Sequence, residues 1–134
     1  MACFPSAEWL QALQHKLNSD ARYAEVARSW EGDMLFQIEP GEALAEEQRY
    51  YLDLWHGKCR QAFAVQDDQQ LKPAFTLRAA YPQYKRLLKG EVDPVQALLT
   101  RKISLQGNMA YILRSVPVVL DFVRCCREVT DAFV

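Results

Sequence analysis

Residues 84–109 read Tyr-Lys-Arg-Leu-Leu-Lys-Gly-Glu-Val-Asp-Pro-Val-Gln-Ala-Leu-Leu-Thr-Arg-Lys-Ile-Ser-Leu-Gln-Gly-Asn-Met, and they leave the backbone few choices. Leu87 and Leu88 close an apolar helical stripe that Gly90 ends, because glycine enters the left-handed conformation of a helix stop without a Cβ penalty. Asp93 and Pro94 suit the cap and first position of a second helix. Ile103 and Leu105 alternate as a strand, and Gly107-Asn108 opens a third helix. This order of helix, helix, strand, helix contains no catalytic constellation, so its contribution is read as shape rather than chemistry.

Upstream, Ser6 caps a helix whose Trp9, Leu10, Leu13 and Leu17 share one face, and Asn18-Ser19-Asp20 stops it. A second short helix turns Tyr23, Val26 and Trp30 inward. After Gly32-Asp33, Met34, Phe36 and Ile38 alternate with Leu35, Gln37 and Glu39 in a strand ended by Pro40-Gly41. Residues 50–55 and 58–65 read as two strands joined by the two-residue turn His56-Gly57. That loop length places Trp55 opposite Lys58, Leu54 opposite Cys59, Asp53 opposite Arg60, Leu52 opposite Gln61 and Tyr50 opposite Phe63. One face then holds Tyr50, Leu52, Leu54, Cys59, Gln61, Phe63 and Val65. The other holds a cation–aromatic contact of Lys58 with Trp55 and an ion pair of Asp53 with Arg60.

A polar loop at 66–70 leads to a fourth strand at 74–78, with Phe75 and Leu77 toward the same core, and to a helix at 82–89. The two helices before the fifth strand at 103–106 provide enough chain for a crossover connection. Residues 108–131 align Met109, Ile112, Leu113, Val116, Leu120 and Val123 along a stripe that Pro117 must kink or divide, leaving a second piece able to act as a flap.

At 134 residues the chain fits one domain spanning 1–134, and folding hides about two-thirds of the surface exposed by the unfolded form. Half of the residues are hydrophobic and a quarter charged, a globular balance. A net charge of -1 gives no broad basic face for a phosphate backbone, so nucleic acid is excluded as the expected partner. No charged-then-apolar leader, spanning run or peroxisomal address is evident, which predicts a soluble, intracellular, cytoplasmic protein. Cys3, Cys59, Cys125 and Cys126 lack paired zinc spacing, so four reduced thiols and neither metal nor cofactor are expected.

The turn Asp93-Pro94-x-x-Ala97, followed by Lys102-Ile103-x-Leu105-x-Gly107-Asn108, resembles the C-terminal signature of the sterol carrier protein 2 domain family. The likeness extends back through Tyr81 to Leu88, the Tyr51-Leu52-Asp53-Leu54 strand with its His56-Gly57-Lys58 hairpin, and Trp30-Glu31-Gly32-Asp33, covering about residues 20–120 in the order that family uses. The family often has glycine and aspartate where this chain has Arg101 and Asn108; both replacements keep the roles of loop and cap. The resemblance implies an α+β fold with a five-stranded mixed sheet and helices packed on one face, enclosing an apolar cavity. It also implies a lipid ligand, whether a fatty acyl chain, a sterol or an isoprenoid.

On that reading Phe36, Ile38, Leu52, Leu54, Phe63, Phe75, Leu77, Leu98, Ile103, Leu105, Met109, Ile112 and Leu113 line the cavity, although any core of this type needs the same apolar residues. Gln61 adds one polar group to their face, to meet a head group or to bond nearby backbone, unless the register is off by one. An enzymatic reading must use Asp53, His56 and Cys59 as a metal or thiol–imidazole set, but alternation points Asp53 and Cys59 to opposite faces and leaves His56 in the turn. His15 lies on a helix flank. The expectation is therefore a non-enzymatic lipid carrier, with an accessory domain that presents a lipid-like substrate to a separate enzyme as the alternative. The basic residues Lys85, Arg86, Lys89, Arg101 and Lys102 suit transient contact with an anionic membrane surface or a partner, and equally suit solvated helix ends. The oligomeric state is open.

Overall fold

Capping side chains set where the helices begin. In the computed structural model, which describes residues 2–66 and 70–134, the Ser6 hydroxyl accepts a hydrogen bond from the Trp9 backbone N–H at 3.0 Å. Strand β1 (Cys3–Phe4) precedes that cap and helix α1 (Ala7–Ser19) follows it, burying Trp9, Leu10, Leu13 and Leu17. Asp20 caps α2 (Ala21–Val26) in the same way, from the Tyr23 N–H. Asp93 caps α4 (Pro94–Leu99) and Asn108 caps α5 (Met109–Arg114), each accepting from the N–H three residues on. An Asp93→Ala substitution is expected to cost about 1 kcal/mol in urea unfolding, the usual loss when an N-cap acceptor is removed.

The remaining elements are β2 (Met34–Glu39), β3 (Gln48–Trp55), β4 (Lys58–Ala64), β5 (Phe75–Ala80), α3 (Tyr81–Leu88), β6 (Ser104–Gln106), α6 (Val116–Val129) and β7 (Ala132–Phe133). Five strands form one mixed sheet in the order β4-β3-β2-β5-β6, with helices on one face. Strand β2 pairs antiparallel with β3 and parallel with β5. Strands β1 and β7 form a second, two-stranded parallel sheet that the sequence pattern did not announce. Of the expected polar loop at 66–70, residues 67–69 lie outside the described residues.

Three expectations need correction: the crossover, the hairpin register and the cation beside Trp55. The connection from β5 through α3 and α4 is not a crossover: Arg78 pairs with Ser104 and Thr76 with Gln106, so the chain re-enters at the end it left and runs antiparallel. The parallel pair is β2 with β5 instead, bridged by the β3–β4 hairpin.

That hairpin keeps the predicted pairs Trp55 with Lys58 and Leu54 with Cys59, but a bulge then slips the register so that Leu52 faces Ala62, Tyr51 faces Phe63 and Tyr50 faces Ala64. One extra residue moves every following side chain to the other face. Gln61 is therefore exposed and Phe63 packs against Tyr51 across the outer face, with ring centroids 5.0 Å apart and the rings tilted. The small Ala62 takes the buried place, which spares the core an amide without a partner. The bulge also changes the cation: Arg60, paired with Asp53 at 3.0 Å, lies 4.9 Å from the Trp55 ring centre, where Lys58 was expected.

Pro117 falls in the first turn of α6, where a missing N–H costs nothing, so it starts a helix after the break at Ser115. Helix α6 touches α1, α2, α3, α4 and α5. Its buried Asp121 and its Arg124 bind each other at 2.8 Å, and Arg124 also reaches Asp20 at 2.7 Å and Glu128 at 3.0 Å. Lys16 of α1 closes the network on Asp20 and Glu128. The open edge of β4 is held by a side chain: Asn18 donates to the Cys59 carbonyl at 2.9 Å and accepts from the Cys59 N–H at 2.8 Å.

Candidate functional site

The helical layer does not close completely on the sheet. Between them lies an apolar cavity of about 70 Å³. Its floor is Met34 and Phe36 of β2, Leu54 of β3 and Leu77 of β5, whose alternation sends them to the helical side. Tyr84, Leu87 and Leu88 of α3, with Pro94 and Leu98 of α4, form one wall. Ile112 of α5 and Val118, Val119, Phe122, Val123 and Cys126 of α6 form the roof, while Trp30, packed on Phe75, and Phe4, packed on Tyr81, border it toward opposite ends of β5, with Trp9 beside Phe4 and Tyr23 beside Phe122.

The wall presents almost no polar surface, and the polar tips of three of its rings are engaged with protein. The Trp30 indole N–H donates to the Gly32 carbonyl at 2.8 Å, the Trp9 indole to the Thr130 hydroxyl at 2.8 Å, and the Tyr84 hydroxyl to the Leu77 carbonyl at 2.6 Å. Burial pushes the Tyr84 phenol and the Cys126 thiol well above their ordinary titration ranges, so both are neutral. A wall of this kind favours hydrocarbon and offers no buried charge to a head group.

Of the candidate residues, Phe36, Leu54, Leu77, Leu98, Ile103 and Ile112 line the cavity. Ile38, Leu52 and Phe75 are buried in the surrounding core, and Leu105 and Met109 are half-buried against it. Leu113 is 42% exposed, and Gln61 and Phe63 sit on the outer face of the bulged hairpin. Sequence reasoning missed the aromatic part of the lining, Phe4, Trp9, Tyr23 and Trp30, and the inner face of α6. The inward placement of Trp9, Tyr23 and Trp30 is the available signal, but nothing in one sequence separates a packed ring from one beside empty space.

The residues of the enzymatic alternative do not meet. Asp53 is paired with Arg60, His56 Nε2 bonds Glu31 in solvent at 2.7 Å, and the Cys59 thiol faces inward, where burial pushes it up to about 12. Asp20, Asp121 and Cys125 bring one donor atom each within 4.8 Å of one another, but Arg124 binds both carboxylates, as expected of a structural ion network rather than a cation site. Among the described residues all four cysteines are free thiols, and no helix is long and apolar enough to cross a membrane.

A mixed five-stranded sheet whose helices enclose an apolar pocket defines an α+β domain of the sterol-carrier type. The sequence model of the SCP-2 sterol transfer family matches residues 10–119, and the chain belongs to that family. A crystal structure of sterol carrier protein 2 is 28% identical, with a TM-score of 0.82 over 92% of this chain and 96% of that one. A conserved hypothetical protein of Thermus thermophilus is also 28% identical, with a TM-score of 0.83 over 95% and 90% of the two chains. The sterol carrier protein 2 of Aedes aegypti, solved with the C16 fatty acid palmitate, shares the fold at 18% identity and a TM-score of 0.53, over 84% of this chain and 91% of that one. Comparison with curated proteins gave no match. Lipid binding or transfer is the general activity that family membership supports.

Proposed function

We propose that the protein takes up the apolar tail of a lipid, a fatty acyl chain or an isoprenoid, in the cavity under α6 and makes or breaks no bond in it. The observation that carries this reading is the cavity wall itself, almost wholly apolar, with both indole N–H groups and the Tyr84 hydroxyl bonded to protein. The palmitate held by the mosquito relative supports a ligand of the same chemistry. At about 70 Å³ the space is far below the roughly 300–1,000 Å³ of a typical small-molecule site, so a long tail enters by displacing the roof. Helix α5 is the mobile candidate: it is six residues long, its one fully buried side chain is Ile112, and Tyr111 tethers it by accepting a hydrogen bond from the Glu31 N–H at 3.0 Å.

The driving force is apolar burial, about 0.8 kcal/mol for each methylene removed from water. Displacement of a fluorescent fatty acid by acids of increasing length should therefore show affinity rising roughly three- to fourfold per methylene. Exchange of the carboxylate for an alcohol should change affinity less than two added methylenes do. Affinity that follows the head group and ignores the tail would overturn this reading. Mass spectrometry of lipid extracted from the purified protein identifies the tail. An enzyme that co-purifies stably with it would favour the accessory role over the carrier.

A further inference from the structure

The segment 94–120 that forms the wall and roof of the cavity is also the least acidic part of the surface. All 17 Asp and Glu residues lie outside it, while it carries Arg101, Lys102 and Arg114. All three cations are exposed, and none has a carboxylate partner among the described residues. The same segment holds Leu99, Leu113 and Leu120, which are 52%, 42% and 42% exposed, three of the five large hydrophobic side chains left most open to solvent among the described residues. Each follows directly on a residue that lines the cavity: Leu98, Ile112 and Val119. Along this segment a single thickness of backbone separates hydrocarbon inside from hydrocarbon outside, and α4 and α5 each pack on α6.

We propose that segment 94–120 is the face by which the protein docks on an anionic lipid bilayer, Leu99, Leu113 and Leu120 entering the head-group region while Arg101, Lys102 and Arg114 meet lipid phosphates. The proposal rests on the lipid-binding reading above and adds the route: a tail leaves the bilayer through the wall nearest to it. Charge selects the partner, since a chain of net charge -1 whose carboxylates all lie elsewhere is attracted to an anionic surface through this face and repelled by it elsewhere. Exposed leucines flanked by cations suit the interface between acyl chains and head groups.

The test is sedimentation with vesicles of phosphatidylcholine alone and of phosphatidylcholine mixed with phosphatidylglycerol. The wild-type protein is expected to prefer the anionic vesicles at least about tenfold and to lose that preference near 1 M salt, where screening reaches about 3 Å. The triple variant Arg101→Gln, Lys102→Gln, Arg114→Gln should weaken that binding roughly a hundredfold, about fivefold for each cation. The variant Leu99→Gln, Leu120→Gln should weaken it too, and Arg28→Gln, at a cation already paired with Glu25 and outside the segment, should not. Binding that is equal on both vesicle types, absent from both, or indifferent to the triple variant would overturn the proposal. So would a wild-type dimer in sedimentation velocity that the leucine variant dissociates, because the face would then belong to a second copy. Displacement of fluorescent fatty acid from the triple variant in vesicle-free solution separates the two claims. Normal displacement with lost vesicle binding supports the docking face, whereas vesicle binding by a wild-type protein that takes up no fatty acid overturns the cavity reading and the route together.

Discussion

Replacing Arg124 with methionine is expected to destabilise the fold by about 3 kcal/mol, the low end for breaking a buried ion pair from one side. Asp121 is 4% exposed and would keep only Arg22, whose own side chain lies largely in solvent. Asp20, at the junction of α1 and α2, would lose its strongest partner. The loss should depend on pH in a definite direction. The hydrogen bonds from Arg124, and then the Tyr23 N–H, hold the Asp20 carboxyl well below the usual range, and Lys16 followed by Arg124 lowers Glu128. A carboxylate with a lowered folded pKa stabilises above its unfolded value, near 4, and that stabilisation is lost as pH falls through the folded value. The wild-type protein should therefore lose stability below about pH 4. The difference from Arg124→Met should narrow as it does. Urea unfolding across a pH series checks both statements, and a gap that stays constant on acidification would sink the assignment of the pH dependence to this network.

Filling the cavity should abolish binding and leave the fold intact. Val123 is buried on the inner face of α6 and borders the empty space, so in Val123→Phe the added ring atoms have somewhere to go. A side chain that grows into a void avoids most of the 1–3 kcal/mol that overpacking costs, so stability should change by less than about 1 kcal/mol. The ring would occupy the space a tail must enter, and fatty-acid affinity should fall at least about a hundredfold, near 2.7 kcal/mol. Equal affinity in the two proteins, with unfolding midpoints also equal, would show that ligand binds somewhere else.

The helices and the strand pairs nearest the hairpin turn were legible because each rests on a local rule. Ser6, Asp93 and Asn108 announce helix starts, and the positive φ of Gly107, +138°, is forbidding to a side chain whose Cβ would lie 2.5 Å from the Ala74 carbonyl oxygen. What failed was non-local. The bulge between Leu52 and Leu54 follows no turn residue; it is selected because Ala62 fits under the helices and Gln61 does not. The β1–β7 pair is only two residues long on each side, too short for any periodicity to mark. The cavity shows the same limit. Phe36, Leu77 and Ile112 could be placed inward from alternation and helical spacing, but whether an inward residue meets another side chain or a void depends on how separate elements approach one another.

The pairing of β1 with β7 also fixes when the pocket can exist. Phe4, which closes one end of the cavity, is held by the Val134 N–H donating to its carbonyl at 3.1 Å, and Ala2 is tied to Asp131 in both directions. Ala2 and Asp131 are 129 positions apart, so closing that loop repays its entropy only after everything between them is in place. The lipid compartment is therefore completed after the sheet that floors it, and cargo can be sealed in only once β7 has docked on β1.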